Sequence, residues 1–342
     1  MVFELDMFLT TALAVIVLIL GSKIKERVQI LQRFSIPTPV VGGIFFTIIV
    51  LIGYVTQTFT VDMNMTLSDF FMLMFYTSIG FTASIPILKK GGIDTIKFLI
   101  LSAIMVTLQN AAGIIGAKAL GVNPLVGLAT GSIPMTGGHG TSAVFAPVLA
   151  ELGLVGADTI ALAAATFGLV SGALLGGPVG TFLIERRVKN RKIETTSQTE
   201  IIDFEDQFKN EISVKGYEES MFLMLIAMAL GTIISKILGK TGLTFPASVG
   251  GMLASALIVN LNDKNNRFRI HHTELDMLGN VSLLIFLALS MMKLKLWEIA
   301  DLAGPMLILL FMQVIIMAIF GIFITYKVMG SDYEAAITTS GH

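Results

Sequence analysis

Cysteine is absent from this chain, and charged residues are scarce in it. The lack of cysteine excludes disulfides, iron–sulfur clusters and cysteine-ligated zinc. Charged residues make up 14% of the sequence and hydrophobic residues 54%, with a mean hydropathy of +0.82. Because a soluble domain carries about 25% charged residues, this composition indicates a protein that faces lipid. The net charge of −1 argues against a basic surface for nucleic acid.

Hydrophobic stretches long enough to cross a bilayer recur along the chain, since a transmembrane helix needs about 20 apolar residues. They are residues 7–24, 37–54, 67–88, 96–119, 159–184, 220–238, 245–260, 275–292 and 302–326. A polar stretch over 185–219 is predicted to link the two groups of spans. The sequence therefore predicts an all-α polytopic membrane protein. Glu4 and Asp6 precede the first stretch, which favours a retained span over a cleaved signal peptide.

Lysine and arginine are distributed unevenly between the connecting loops. If the N-terminus is outside, few of the 23 basic residues fall on the outer side: Lys118, Lys236, Lys240, Lys293 and Lys295. Cytoplasmic loops carry the excess of Lys and Arg in membrane proteins. The sequence therefore predicts an outer N-terminus and a cytoplasmic central linker.

A further hydrophobic stretch, residues 125–149, contains too many helix breakers to be an ordinary span. Pro134, Gly137, Gly138 and Gly140 interrupt it, and both residue types disfavour a helix interior. Irregular backbone at membrane depth is tolerated only where it lines a cavity or is buried in protein. We therefore predict a re-entrant hairpin, with a kink packed against neighbouring helices as the alternative.

The residues around these glycines suit the binding of an anion. Thr141 and Ser142 are predicted to cap a new helix, whose N-terminus offers unpaired N–H groups and a partial positive charge to a carboxylate. His139 has no carboxylate or second histidine near it in sequence. It is predicted to be a neutral imidazole that hydrogen-bonds the hairpin or a ligand, with a proton carrier as the alternative.

Other residues within the spans allow two interpretations each. Gln109 and Asn110 are costly in lipid, so they either face a cavity or bond another helix. Ser171 and Gly172 either pack against the hairpin or belong to backbone that coordinates an ion. The sequence at 239–241 resembles part of a nucleotide-binding loop but lacks its earlier glycine, which argues against ATP binding.

The two halves of the chain repeat one another. The matching pairs are 34–43 with 243–251, Gln109 with Gln313, and 121–131 with 330–340. Five spans precede the linker, so the second copy is inverted. Inverted repeats with broken helices are the architecture of secondary transporters, which bind substrate where the repeats meet.

The predicted domain division follows from this repeat. A first repeat over 1–184 contains five spans and the hairpin, a linker covers 185–219, and a second repeat over 220–342 contains four spans. A proton-coupled transporter of dicarboxylates fits these features equally well. A membrane-embedded enzyme is disfavoured, because His139 is the one strong catalytic candidate in the spans. A passive channel is disfavoured by the inverted copies.

Five elements of the sequence are shared with a known family. They are Gly-Gly-His-Gly-Thr at 137–141, Leu-Leu-Gly-Gly-Pro at 174–178, the Pro-x-x-Val-Gly-Gly pattern within 37–43, and the segments 290–298 and 326–336. On these elements the chain resembles the bacterial glutamate:sodium symporters over nearly its whole length, apart from the central loop. The resemblance implies sodium-coupled import of L-glutamate across the inner membrane by a homodimer. No ATP and no bound cofactor are expected. The Na⁺ ion is transported together with the substrate.

The broken stretch and the resemblance together predict the binding residues. The predicted substrate-binding residues are Gln109, Asn110, Thr136, Gly137, Gly138, His139, Gly140, Thr141 and Gln313. The predicted sodium-binding residues are Ser132, Ser142, Ser171, Gly172, Thr339 and Ser340. Members of the family continue after the ninth span with a second hairpin and a tenth span, whereas this sequence ends at His342. On that alignment half of the expected site is missing, and the sequence as given is expected not to transport.

Overall fold

The computed structural model describes residues 2–33, 36–86, 92–172, 213–240, 245–265, 267–298 and 300–329. The described residues are nearly all helical. Six helical stretches among them are long and apolar enough to cross a membrane: Met7–Arg27, Thr38–Val55, Gly92–Ala119, Val214–Gly239, His272–Met292 and Ala300–Val328. Large apolar side chains are exposed along these stretches, for example Leu99 and Ile115 at 68% each, as helices in contact with lipid require.

The elements follow one another in a simple order. The strands are β1 Val2–Leu5 and β2 Thr60–Met63. The helices of the first half are α1 Met7–Arg27, α2 Gln29–Arg33, α3 Thr38–Val55, α4 Thr66–Gly80, α5 Gly92–Ala119, α6 Pro124–Ala129, α7 Ser132–Met135, α8 Gly138–Glu151 and α9 Ala157–Gly172. Those of the second half are α10 Val214–Gly239, α11 Ala247–Asn265, α12 His272–Met292, α13 Ala303–Ile319 and α14 Tyr326–Val328. A π-helical stretch, Phe320–Thr325, joins the last two.

The predicted spans fall on these helices, but several boundaries differ, two of them by more than five residues. Helix α10 begins at Val214, so residues 214–219 of the predicted linker are helical. The Ser213 hydroxyl caps this helix by accepting a hydrogen bond from the N–H of Gly216 at 2.8 Å. The fifth predicted span is described only as far as Gly172.

Helix α4 ends at Gly80, earlier than the predicted span over 67–88. Asn260 of α11 replaces the helical hydrogen bonds beyond this point. Its Oδ1 accepts from the N–H of Ile85 at 2.7 Å, and its Nδ2 donates to the carbonyl of Ala83 at 2.8 Å. Turns over 81–84 therefore separate the end of α4 from Ile85, and the Asn260 side chain satisfies the backbone there.

Glycines bring two pairs of helices into close backbone contact. A Cβ added at Gly42 of α3 would collide with the carbonyl of Val17 in α1. In the second half, a Cβ added at Gly250 of α11 would collide with the carbonyl of Gly231 in α10. Small residues permit this approach of helices in membranes. The first two long helices of each half therefore pack in the same way.

The described residues form two compact units that draw on both halves of the sequence. One unit comprises the described residues within Met1–Met65, Ile93–Arg191 and Leu287–His342, and the other those within Thr66–Gly92 and Lys192–Phe286. The first unit contains α1, α3, α5–α9 and α13. The second contains α4, α10, α11 and the first part of α12.

A short parallel ribbon opens the chain, which the hydropathy pattern does not predict. Strand β1 pairs with β2, with Val2 opposite Thr60 and Leu5 opposite Met63. Asp6 follows the ribbon and caps α1, because its Oδ1 accepts from the N–H groups of Phe8 and Leu9 at 2.8 Å each. The acidic start of the chain is thus a helix cap.

Candidate functional site

The predicted broken stretch consists of three short helices in the first unit. Helices α6, α7 and α8 are separated by breaks at Thr130–Gly131 and Thr136–Gly137. Gly138 begins α8 with φ of +66°, in the left-handed region that L side chains rarely adopt. The glycines therefore interrupt the helix where the sequence predicted.

The predicted cap of the last helix was wrong. Helix α8 begins at Gly138, so Thr141 and Ser142 lie inside it rather than at its cap. The capping position is Gly137, which has no side chain to accept a hydrogen bond. A Cβ added at Gly137 would collide with the Thr141 side chain. Thr141 therefore packs back over the break, and this contact explains why position 137 is a glycine.

The chain doubles back between α6 and α8. Val126 of α6 and Leu149 near the end of α8 belong to one buried apolar cluster, together with Ala117 at the end of α5. Gly127 also lies in backbone contact with Gly113 of α5. The start of the broken stretch in α6 and its end in α8 therefore both lie beside the C-terminal end of α5.

Helix α5 holds the two breaks through adjacent amide side chains. Asn110 Oδ1 accepts hydrogen bonds from the N–H of Ser132 at 3.1 Å and from its hydroxyl at 2.8 Å. Gln109 Oε1 accepts from the hydroxyl of Thr136 at 2.9 Å. Gln109 and Asn110 thus hydrogen-bond the broken stretch, one at each break.

Gln313 of α13 completes this group of amides. Its Nε2 donates to the backbone carbonyl of Gln109 at 2.8 Å, and both glutamines are fully buried. Gln109 Nε2 and Gln313 Oε1 are buried without a hydrogen-bond partner among the described residues. An unsatisfied buried polar atom costs about 1–3 kcal/mol. One free donor and one free acceptor therefore lie in the amide cluster, by which we mean Gln109, Asn110 and Gln313.

The break before α8 lies beside Gln109, about two thirds of the way along α5. Thr136 bonds Gln109, and ten residues separate Gln109 from Ala119 at the end of α5. At about 1.5 Å per residue this separation is about 15 Å, half of the roughly 30 Å hydrocarbon core of a bilayer. The break before α8 therefore lies well within the length of a helix that is long enough to cross a membrane.

His139 lies in the first turn of α8 and is buried, with 6% of its surface exposed. Its Nε2 is 3.0 Å from Oγ1 of Thr166 in α9, and that hydroxyl donates to the carbonyl of Leu162 at 3.0 Å. Because the hydroxyl proton is used in this way, Nε2–H is the donor to Thr166. The imidazole therefore hydrogen-bonds a neighbouring helix of the protein. Ser142, one turn further on, is fully buried, and its hydroxyl has no partner among the described residues.

Helix α9 packs on the broken stretch, and Thr166 is a site residue that the sequence did not reveal. A Cβ added at Gly168 would lie 3.1 Å from Sδ of Met135, which places α9 directly against α7. Threonine within an apolar span is common, so composition gave no signal for Thr166. Ser171 and Gly172 end the described part of α9. The predicted sodium ligands Thr339 and Ser340 lie outside the described residues.

Formal positive charge is missing from the buried part of the site. No Lys or Arg is buried among the described residues, and no group of His, Asp and Glu in that part of the chain is arranged to hold a metal ion. Thr136 and Gly137 are exposed, and Gly138, Gly140 and Thr141 are partly exposed. An anion at this break would therefore meet the N-terminus of α8 and neutral amides.

Comparison with known proteins agrees with this picture. The family model described as sodium/glutamate symporter matches residues 3–342. The sodium/glutamate symporter of Haemophilus influenzae is 38% identical over 339 residues, which cover 97% of this chain and 83% of that protein. Those of Escherichia coli K12 and Shigella flexneri are each 36% identical over 341 residues, covering 99% of this chain and 85% of theirs. The relatives are symporters and not enzymes, and this multi-pass membrane protein belongs to the sodium/glutamate symporter family.

Proposed function

We propose that the protein imports L-glutamate together with Na⁺. Its relatives are named sodium/glutamate symporters. The observation that carries this proposal is the pair of buried, unsatisfied amide atoms beside the helix break, Gln109 Nε2 and Gln313 Oε1. A free donor suits a carboxylate, and a free acceptor suits an ammonium group. An amino acid presents both groups, and binding it would satisfy both glutamines.

The negative charge of glutamate is balanced in this proposal without a basic side chain. The N-terminus of α8 at Gly138 supplies N–H groups that no intrahelical carbonyl can accept from. It also carries about half a positive charge. The substrate contacts in this proposal are Gln109, Asn110, Thr136, Gly137, Gly138, His139, Gly140, Thr141 and Gln313. Because glutamate carries a net negative charge, a co-bound cation is needed for further compensation.

Sodium supplies that cation as a co-transported ion. The unpartnered hydroxyl of Ser142 is the favoured ligand, because it is buried in the same helix that begins at Gly138 and oxygen atoms coordinate such a hard cation. The remaining proposed ligands are Ser132, Ser171, Gly172, Thr339 and Ser340. Of these, Ser132 already bonds Asn110, so it contributes through its remaining lone pair.

Alternating access is proposed on the basis of two inverted repeats, each with a re-entrant hairpin. The matched contacts of Gly42 and Gly250 support the repeat, as does the contact between Gln109 and Gln313. Gly43 packs on Met291 of α12, whereas Gly251 packs on Thr77 of α4. The second long helix of each repeat thus packs on the third helix of the other. Transporters built in this way bind substrate where the repeats meet and rock around that site.

We further propose that the protein is a homodimer of the bacterial inner membrane, with the N-terminus outside and the central linker in the cytoplasm. The distribution of Lys and Arg supports the orientation. In this orientation the hairpin of residues 124–151 enters from the outer side, because the end of α5 and the start of α6 lie there. The domain division at 1–184, 185–219 and 220–342 is part of the same proposal.

Uptake by the purified natural protein in proteoliposomes tests the proposed function. Labelled L-glutamate should accumulate when an inward sodium gradient is imposed, and it should not accumulate when potassium replaces sodium at equal ionic strength. Uptake driven equally well by a proton gradient without sodium would contradict sodium coupling. Preference for a dicarboxylate that lacks an amino group would contradict the assignment of Gln313 Oε1 to an ammonium group.

A further inference from the structure

A cavity lies in the first unit, and none of its lining residues belongs to the amide cluster. Its volume is about 410 Å³, within the range of about 300–1,000 Å³ that is typical of small-molecule sites. Strand β2, the end of α3 and the loop after α12 enclose it. These segments adjoin the starts of α1 and α9, which is the outer end of the unit in the proposed orientation.

One wall of this cavity is a pair of stacked aromatic rings. The rings of Tyr54 and Trp297 are parallel to within 8°, and their centroids are 4.1 Å apart. Val50 and Met292 extend the wall with apolar surface. The pair gives the cavity a rigid flat side, against which the methylene groups of a small ligand can pack.

The charged side chains of the cavity carry both signs. Lys293 and Lys295 line it together with Asp62 of β2. Lys293 pairs with Asp158 at 3.0 Å, and Lys295 pairs with Glu298 at 3.5 Å. Both lysine side chains are about half exposed, at 45% and 57%. Exposed ion pairs of this kind contribute little to stability, so a carboxylate that enters can share either ammonium group.

We propose that this cavity is an outer binding site for an acidic amino acid, which occupies it before reaching the amide cluster. Lys293 and Lys295 provide a cation for each of the two carboxylates, and Asp62 provides the partner of the ammonium group. The mixed signs favour such a zwitterion over the phosphate of a lipid headgroup, which Asp62 would repel. The choice of glutamate as ligand rests on the proposed function, whereas the lining and charges of the cavity do not.

The loop that carries the two lysines also holds the start of α9. The backbone N–H of Lys295 donates to Oγ1 of Thr159 at 3.3 Å, beside the Lys293–Asp158 pair. Further along α9, Thr166 accepts the hydrogen bond of His139. A ligand that competes with Asp158 for Lys293 therefore acts on a helix that packs against the hairpin.

Trp297 makes the proposal directly measurable, because it is the single tryptophan of the sequence. The purified protein in nanodiscs of zwitterionic lipid is titrated with L-glutamate in sodium-free buffer while tryptophan fluorescence is recorded. A saturable change is expected, and the double variant Lys293→Gln/Lys295→Gln should weaken it at least tenfold. Asp62→Asn should weaken the response to glutamate but not the response to glutarate, which lacks the amino group. Lys118→Gln removes an exposed lysine outside the cavity and should leave the titration unchanged.

A second variant separates this proposal from the proposed function. Gln109→Met should abolish sodium-driven uptake while the fluorescence response to glutamate stays within twofold of the unaltered protein. If uptake fails in the unaltered protein but the response remains, the proposed function fails and the outer site stands. Thermal unfolding of each variant, recorded alongside, verifies that the lysine and Asp62 changes leave the fold intact. A response that requires sodium and disappears in Gln109→Met would overturn the outer site, as would the absence of any response or a response only to phosphatidylglycerol.

Discussion

The Nε2 of Gln313 donates to the backbone carbonyl of Gln109 at 2.8 Å, so α5 and α13 meet through the two residues that the sequence pairs. Each glutamine leaves one amide atom buried without a partner among the described residues. In a membrane protein such atoms are costly, because no water is available to satisfy them. In the proposed function, a bound ligand completes these hydrogen bonds.

Replacing either glutamine should weaken ligand binding without a large change in stability. Methionine has a similar volume, and it removes both the unsatisfied atom and the one hydrogen bond that each glutamine side chain makes. These two effects oppose each other, so Gln109→Met or Gln313→Met should change the ligand-free melting temperature little. Glutamate binding should weaken at least tenfold, or about 1.4 kcal/mol. Calorimetric binding and thermal unfolding in detergent measure the two effects on the same sample.

The contrasting result would assign these amides to helix packing. A large fall in melting temperature in both variants, with normal glutamate affinity in the protein that remains folded, would contradict a binding role. Thr136→Val is the matched control on the other side of the contact. Thr136 is an exposed residue whose hydroxyl donates to Gln109, so its loss should affect binding less than the loss of Gln109.

The glycines at the break should respond differently to substitution, for reasons that the sequence alone does not reveal. Nothing lies within 4 Å of a Cβ added at Gly138, but its φ of +66° penalises any L side chain by about 1–2 kcal/mol. Gly138→Ala should therefore lower the melting temperature, and Gly138→Asn should lower it less, because asparagine tolerates this region. Unfolding curves of the two variants give the comparison.

The neighbouring glycine provides the control for this effect. Gly137→Ala should be disruptive through its collision with Thr141, and the double variant Gly137→Ala/Thr141→Ala should recover part of the stability. Equal melting temperatures for Gly138→Ala and Gly138→Asn would show that backbone conformation is not the cause.

Hydropathy and breaker residues predicted most of the helices and the position of the break. Both signals follow from local chemistry, because a span must be apolar and proline or glycine disfavours a helix at its own position. The end of α4 at Gly80 and the role of Thr166 were not predictable in this way. Each depends on a partner distant in sequence, Asn260 in one case and His139 in the other. The ribbon of β1 and β2 also depends on pairing between segments that are 58 residues apart in the sequence, since Val2 pairs with Thr60.

The glycine contacts of the two repeats should have similar energetic weight. Gly42→Ala and Gly250→Ala each place a methyl group against the backbone of a neighbouring helix, and such overpacking costs about 1–3 kcal/mol. Both variants should therefore melt at lower temperature than the unaltered protein. Gly239→Ala, where nothing lies within 4 Å of the added Cβ, serves as the control. If one of the two variants behaved like Gly239→Ala, the proposed correspondence between the repeats would lose this support.

Labelling of single cysteines can decide whether residues 124–151 cross the membrane or re-enter it. The chain contains no cysteine, so Leu120→Cys, Val155→Cys and Thr196→Cys each create a unique target for an impermeant thiol reagent in intact cells. Leu120 and Val155 flank the broken stretch and are 36% and 81% exposed. A re-entrant hairpin places both on the same side of the membrane, because the chain doubles back at Gly137 and returns to the end of α5. Both should therefore be labelled from outside, whereas Thr196 in the central linker should be protected until the cells are permeabilised. Labelling of Leu120→Cys without Val155→Cys would show that the stretch spans the bilayer, and labelling of Thr196→Cys with protection of the other two would reverse the proposed orientation while keeping the hairpin.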